Sequence, residues 1–452
     1  MENIRNSDIK LINLLAITHL LFNVQVKMPP DKKEAEPTDT IVITSECELR
    51  FEVESDEVSL VLVDGQAEIF GTEIPLNKVY KFVAGLSIAV FSWRGCRLKI
   101  TGNCSRYISK QTPMVVYLQT HGALQQMRNN AERDDKDGPR ILVVGPQDVG
   151  KSTLCRLLCN YAVRMKQQPV YVDLDVGQGC IGIPGSIGAL VLERQADVEE
   201  GFTEQLPIVY HFGYYFPDAN WALYNELAKK IADDIEKRSE FCPKARHSGF
   251  VVNTCGYVTG DGYKFIKEAV DIFKINCILV IDHERVFNDL QRDIPEDKAT
   301  SILLPKSGGV IKRNGPYRKR TRESRVKQYF YGFRRPLNPF VFNIGFDEIE
   351  IYKIGSLEVS DSLLPINKVS DIKNKLSCVK IDIDNELLHT VLSLVFGEPP
   401  DLLCSTVAGF IVVKDVDMEN RQINVLAPAP HPLPHNICLW SDTKFNDEGS
   451  IS

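Results

Sequence analysis

Residues Gly145-Pro-Gln-Asp-Val-Gly-Lys-Ser-Thr153 match the spacing Gly-x-x-x-x-Gly-Lys-[Ser/Thr]. In that pattern a glycine-bent loop turns its N–H groups toward nucleotide phosphates, the lysine reaches the β- and γ-phosphates, and the hydroxyl binds Mg²⁺. Here the lysine is Lys151 and the hydroxyl is that of Ser152 or Thr153. Further on, Val170-Tyr-Val-Asp-Leu-Asp175 reads as a strand with carboxylates at its end. Ligands of open α/β sheets lie beyond the carboxyl ends of the strands, so Asp175 is expected in the same cleft as Lys151. A carboxylate there either aligns an attacking hydroxyl or holds Mg²⁺ through water.

A third chemical feature is the stretch Lys312–Arg335, with ten basic residues against one acid, Glu323, and with Tyr317, Tyr329, Phe330, Tyr331 and Phe333 interleaved. Forked guanidinium groups neutralise phosphates, and aromatic rings stack on bases. The plainer reading is a solvated charged helix; beside a phosphate-binding loop, the phosphate reading is preferred. A guanine switch is disfavoured, because Asn367-Lys-Val-Ser-Asp371 has its aspartate one place late and Asn77-Lys78 has none. ATP and phosphoryl transfer fit the loop, the acidic strand end and the arginines together.

These groups need elements to position them. Arg140-Ile-Leu-Val-Val144 is a short apolar, β-branched run that reads as a buried parallel strand leading into the loop. Leu154, Leu157, Leu158, Tyr161, Ala162 and Met165 then mark one face of a helix, whose amino terminus itself attracts anions. Further strands are expected at 249–253 and 277–282, and helices at 222–237, 262–273 and 284–293. The centre is therefore expected to be a doubly wound α/β sheet of the P-loop NTPase kind. Gly177-Gln-Gly179 reads as a flexible loop able to approach a ligand closely.

Before this centre, short alternating runs from Ile41 to about Thr120, punctuated by Asp64-Gly65, Gly71 and Gly95, predict an amino-terminal β-sandwich or barrel. Helical spacing at 118–132 leads into a charged linker at 132–138. After it, strand-like pieces and a helix at 387–396 predict a mixed α/β carboxy-terminal domain. The expected division is a leader over 1–40, a β-rich domain over 41–125, the kinase-like domain over 126–335 and a third domain over 336–452. The apolar leader superficially resembles a signal peptide but lacks a small-x-small cleavage site, and Met28 offers a second start.

The chain has 452 residues and a formal charge of −7, so a nucleic-acid site has to be a local patch. Its twelve cysteines are scattered with no Cys-x-x-Cys, which favours a reducing compartment over disulfides or a zinc ribbon. His431 and His435 sit in a proline-stiffened loop rather than a metal site.

The loop Gly145–Thr153, Asp173-Leu-Asp-Val-Gly-Gln-Gly179, Asn253-Thr-Cys-Gly256, Leu304-Pro-Lys-Ser-Gly-Gly309 and Tyr329-Phe-Tyr-Gly-Phe333 together resemble the Clp-type polyribonucleotide 5′-hydroxyl kinases, from about Glu46 to near the carboxyl terminus. The resemblance implies a nuclear kinase that uses ATP and Mg²⁺ to phosphorylate the 5′-hydroxyl of RNA. It also implies work with subunits of the pre-mRNA cleavage factor and with the tRNA splicing endonuclease complex, and no membrane partner. By that resemblance Asp148, Val149, Gly150, Lys151, Ser152 and Thr153 hold the triphosphate, with Ser152, Thr153 and Asp175 toward the metal. Asp175 activates the hydroxyl, Arg313, Arg318 and Arg322 form a lid, and Glu48 reaches the adenine. Gln178 and Thr254 face the RNA, and Tyr257 stands where the family usually has a tryptophan that clasps the terminal base. Ser87 stands where a lysine near the adenine is expected. Two other readings are an ATP-bound, non-catalytic scaffold subunit of the cleavage factor and a small-metabolite kinase; the latter leaves the aromatic-basic segment unexplained.

Overall fold

Every residue of the strand Arg140–Val144 is buried. Ile141 and Val143 pack on one side of the sheet with Leu154 and Leu158, while Leu142 and Val144 pack on the other with Leu227 and Ile231. That two-sided burial is what a continuous apolar run without polar alternation requires. Each fully buried aliphatic side chain contributes about 1.5–3 kcal/mol. The structure, a computed structural model, describes residues 38–54, 57–203, 206–333, 336–355 and 375–446. The leader up to residue 37, Arg334, Arg335 and the 367–371 motif lie outside the described residues. Thr38–Ile43 already forms a strand.

The central sheet has seven strands in the order 208–211, 186–191, 170–173, 250–253, 140–144, 277–281 and 300–304. The last five run parallel, and 186–191 and 208–211 add an antiparallel edge. Helices Met114–Asp134 and Lys151–Arg164 cover one face; Trp221–Phe241, Asp261–Ile272 and Glu284–Asp293 cover the other. The boundary expected at 125–126 falls inside the continuous helix Met114–Asp134. The expected linker is ordered as well: Asp135 pairs with Arg246 and His247, and Asp137 pairs with Arg140.

The amino-terminal part is a sandwich of a four-stranded and a five-stranded sheet. It is fastened to the P-loop helix through Asn160, which donates to the Phe70 carbonyl at 2.9 Å, and through the Arg164–Glu68 ion pair at 2.7 Å. Gly71 touches the same helix so closely that a Cβ there would lie 2.9 Å from the Leu157 carbonyl oxygen.

The carboxy-terminal part corrects one expectation. The predicted helix 387–396 is a 3-10 turn, Asn385–Leu387, followed by the strand Thr390–Val395, whose six residues are all buried. The described residues after 337 form a seven-stranded, mainly antiparallel sheet with 3-10 turns. His431 and His435 pack edge-on against Phe342 and Phe396 respectively, away from any shared site. This sheet docks on the central one through His211, whose Nε2 lies 3.0 Å from the Trp440 carbonyl and whose Nδ1 lies 2.8 Å from Ser393 Oγ. A carbonyl only accepts, so Nε2 carries the proton and Nδ1 accepts from Ser393. All twelve cysteines are free. Among the described residues no helix is long and apolar enough to cross a membrane.

Candidate active site

The loop after Arg140–Val144 turns sharply because three of its residues take positive φ: Gly145 (159°), Asp148 (56°) and Gly150 (91°). A side chain at Gly145 would press on the Ile281 carbonyl at 3.0 Å, and Gly150 ends the loop directly before the helix Lys151–Arg164. Lys151 is buried, and its Nζ donates to the Pro146 carbonyl at 2.7 Å across the loop it closes. Burial pulls its pKa down, while Asp175 pulls in the opposite direction.

The floor beside the lysine is a carboxylate-amide network. Asp173, at the end of its strand and buried, accepts from the Asn253 amide at 3.0 Å and from the backbone N–H groups of Asp175 and Cys180 at 3.1 and 2.7 Å. The same Asn253 amide donates to Ser152 Oγ at 3.1 Å. Ser152 is thereby tied to the strand end. Thr153 is exposed on the first helical turn, and no contact of this network includes it. Asp175 follows, its Oδ1 accepting the N–H groups of Gly177 and Gln178 at 3.1 Å each. Burial and the neighbouring Asp173 push its pKa up; Lys151 and the two N–H groups hold it down.

The basic stretch folds into the helix Gly315–Tyr331, capped by Asn314 and anchored by buried Val326 and Phe330. Most charges of this stretch are solvated, while Arg318 and Arg322 turn inward to protein partners. Arg318 Nη2 donates to both oxygens of Asp148, at 2.9 and 2.8 Å. The Arg313 N–H donates to the same carboxylate at 3.0 Å. Arg322 lies 4.4 Å from the centroid of the Tyr215 ring, and Tyr317 donates its hydroxyl to the Gly85 carbonyl at 2.9 Å, joining this helix to the amino-terminal sandwich.

On the sandwich side, Glu48 is buried and accepts from Arg50 Nε at 2.7 Å, with Thr112 on its other oxygen. Arg50 in turn runs over Gly308 and Gly309: a Cβ on Gly309 would meet its Cδ at 2.9 Å. The paired glycines of the 304–309 motif thus admit this arginine. Val149 is buried under the loop. On the opposite side, Gln178 donates to the Gly177 carbonyl at 2.7 Å, and Tyr257 donates to Asp218 at 3.4 Å. Thr254 does not reach the cleft: it is buried, with its hydroxyl donated to the Val143 carbonyl at 2.8 Å. Asp173 and Asn253 are the site residues to which sequence reasoning assigned no role.

Ser87 Oγ, next to the Gly85–Tyr317 contact, and Gln178 Oε1, beyond Asp175, are buried without a hydrogen-bond partner. Buried polar atoms are ordinarily satisfied, so these two are exceptions to the rule. With a cationic Lys151, a loop of free N–H groups and a hydroxyl beside carboxylates, the donor set fits a nucleoside triphosphate and a hard divalent cation. No cluster of three or more His, Cys, Asp or Glu able to hold a metal by itself occurs among the described residues.

The fold and this floor define a P-loop kinase. Three family profiles match in succession: the N-terminal β-sandwich domain of polyadenylation factor over residues 42–131, the P-loop of the mRNA cleavage and polyadenylation factor CLP1 over 145–332, and the pre-mRNA cleavage complex II protein Clp1 over 337–447. The polyribonucleotide 5′-hydroxyl-kinase Clp1 of Homo sapiens is 48% identical over 421 residues, covering 92% of this chain and 98% of the human protein. Protein CLP1 homolog of Anopheles gambiae is 45% identical over 426 residues, 93% of this chain and 100% of that one. The chain belongs to the Clp1 family. Among solved structures, wild-type Clp1p bound to Pcf11p shares the fold at a TM-score of 0.78 and 21% identity, over 91% of this chain and 98% of that one. A second, with the same score and identity and over 91% and 99% of the two chains, describes an extended Pcf11p–Clp1p interface and the basis of ATP loss in a point mutant.

Proposed function

We propose that this chain transfers the γ-phosphate of ATP to the 5′-hydroxyl of RNA in a Mg²⁺-dependent reaction. The observation that carries the proposal is the meeting of three elements at one floor: Lys151 from the loop, Ser152 joined through Asn253 to the Asp173–Asp175 strand end, and Arg318 reaching over from the lid helix. ATP supplies the phosphoryl group. Lys151 and the loop N–H groups hold its oxygens, and Ser152, fixed by Asn253, is the hydroxyl placed for Mg²⁺. Asp175 accepts the hydrogen bond of the attacking 5′-hydroxyl and orients it. In a loose transition state that alignment counts for more than early proton removal. Arg313, Arg318 and Arg322 spread over the charge of the group in transit.

Glu48, oriented by Arg50 and Thr112, is the adenine contact in this reading, and the unpartnered hydroxyl of Ser87 is a second polar group on that side. Gln178 and Tyr257 face the RNA. The names of the relatives and the Pcf11p-bound fold neighbour support a place among cleavage-factor subunits, and we place that work in the nucleus as part of the proposal. We extend the proposal to the tRNA splicing endonuclease complex.

The test is incubation of purified protein with 5′-hydroxyl RNA, labelled ATP and Mg²⁺. Transfer that disappears in Lys151→Ala and Asp175→Asn is expected. A folded, ATP-binding wild type that labels no RNA would return the chain to the scaffold reading.

A further inference from the structure

Phe216 is an aromatic side chain at the rim of the acceptor side that none of the chemistry above uses. Its backbone is extended, with φ −133° and ψ 133°, so successive side chains alternate. Tyr215 is half-buried, Pro217 is buried, and Phe216 remains 51% exposed. The chain on both sides of Phe216 is fixed to the site. Before it, Tyr215 carries Arg322 over its ring, and its carbonyl comes so near Gly177 that a Cβ there would be 2.7 Å away, two residues past Asp175. After it, Asp218 accepts the Tyr257 hydroxyl at 3.4 Å, and the Trp221 ring meets Tyr257 edge-on at 5.9 Å and 83°.

The segment is braced from behind by the carboxy-terminal sheet and its neighbours. The Asp442 N–H donates to the Gly213 carbonyl at 2.8 Å, and Tyr214 donates to the Ile354 carbonyl at 3.4 Å. Asn220 caps the following helix while donating to the Lys375 carbonyl at 2.8 Å. An exposed ring on so firmly held a segment is a preorganised surface rather than a loose tip.

We propose that Phe216 is a second base platform of the acceptor site, working with Tyr257 to stack the unpaired base at the 5′ end of the RNA while its hydroxyl lies at Asp175. This rests on the RNA kinase reading. The occupant is an unpaired base for two reasons. The rim adjoins the arginines of the lid, which neutralise a phosphate backbone, and a flat apolar ring beside them accepts any base by its π-face. Tyr257, half-buried against Trp221, offers only part of such a surface alone. A base paired at the very end of a duplex has one face already stacked, so this rim selects acceptors whose first base is free.

The test uses the full-length protein and a 5′-hydroxyl RNA of about ten nucleotides with 2-aminopurine at its first position, whose fluorescence falls on stacking. Phe216→Ala is expected to raise the RNA concentration for half-maximal rate about tenfold and to lose much of the quenching. Turnover at saturating RNA and the ATP half-saturation stay close to wild type. Phe216→Trp restores both readouts, and Phe216→Leu, which keeps bulk without a π-face, behaves like alanine. Phe241→Ala, 86% exposed at the far end of the helix Trp221–Phe241, is the neutral control. Wild-type half-saturation and quenching in Phe216→Ala, or in Phe216→Leu, would overturn the platform. Quenching in a wild type that transfers no phosphate would sink the kinase reading and leave the platform standing.

Discussion

Arg318 grips Asp148 with a single nitrogen shared between both carboxylate oxygens, at 2.8 and 2.9 Å, so the lid helix is tethered to the very loop it is proposed to cover. Asp148 holds this position in the left-handed region, φ 56°, where aspartate and asparagine are the tolerated side chains. The loop's own carboxylate therefore occupies a lid arginine.

Asp148→Asn keeps that backbone and removes the charge. Both partners are partly exposed, so the pair is worth about 1 kcal/mol, roughly a fivefold change in lid opening. Nucleotide-free Asp148→Asn is expected to be cut by trypsin within Gly315–Tyr331 about fivefold faster than wild type, with ATP restoring protection in both. Equal cleavage rates would show that Val326 and Phe330 hold the helix without the ion pair.

Asp175→Asn preserves the shape of the floor and removes the negative charge proposed to orient the hydroxyl. A loss of about 10²–10⁴-fold in single-turnover rate is expected, with ATP affinity changed only a few-fold. The pH profile carries the sign. Asp175 acts when ionised, and burial beside Asp173 raises its pKa, so the rate falls with acidification through a value above the ordinary aspartate figure near 4. An acid limb at or below that figure would remove Asp175 from the rate-controlling ionisation.

The glycine loop and its flanking strand and helix were legible because their signals are local. A β-branched run, a glycine spacing and a 3.6-residue stripe lie within about thirty consecutive positions. The floor was not. Asp173 and Asn253 are 80 residues apart in sequence and Asn253 and Ser152 are 101 apart, so their bonds exist only through strand order. Segment 387–396 shows the other failure. Leu387, Val391, Leu394 and Val395 have helical spacing, but Thr390–Val395 is buried on both faces between neighbouring strands, where periodicity no longer separates helix from strand. Thr254 matched its motif yet turned inward, because the Val143 carbonyl at the strand end takes its hydroxyl.

Asn253 links Ser152, the hydroxyl proposed for Mg²⁺, to the buried carboxylate of Asp173. Asn253→Ala takes a donor from Asp173, which is 3% exposed, and frees Ser152. Leaving a buried acceptor short of a donor costs about 1–3 kcal/mol. Urea denaturation should show that loss, and the Mg²⁺ concentration for half-maximal transfer should rise several-fold. A lower stability with an unchanged Mg²⁺ requirement would confine Asn253 to holding the strand end.

Two buried histidines predict how stability responds to acid. His211 is pushed down to about 4 by burial, partly offset by its bond to the Trp440 carbonyl. His121 is also pushed down to about 4, by burial and by Arg128 and Arg164, and its Nδ1 has no partner. Unfolded, both titrate near 6.5. The unfolded chain therefore takes up protons first as pH falls: the stability these residues contribute as neutral rings is complete above about 6.5 and is lost between there and about 4. The full loss is on the order of 3 kcal/mol for each. Urea midpoints should drop from pH 7 to pH 5, and His121→Phe, which packs on Tyr161 without titrating, should weaken that slope by about half of the histidine contribution. A slope unchanged by His121→Phe would assign the acid sensitivity to His211 and to the carboxylates, and Ser393→Ala, which removes the hydroxyl bonded to Nδ1, would then be the variant that shifts it.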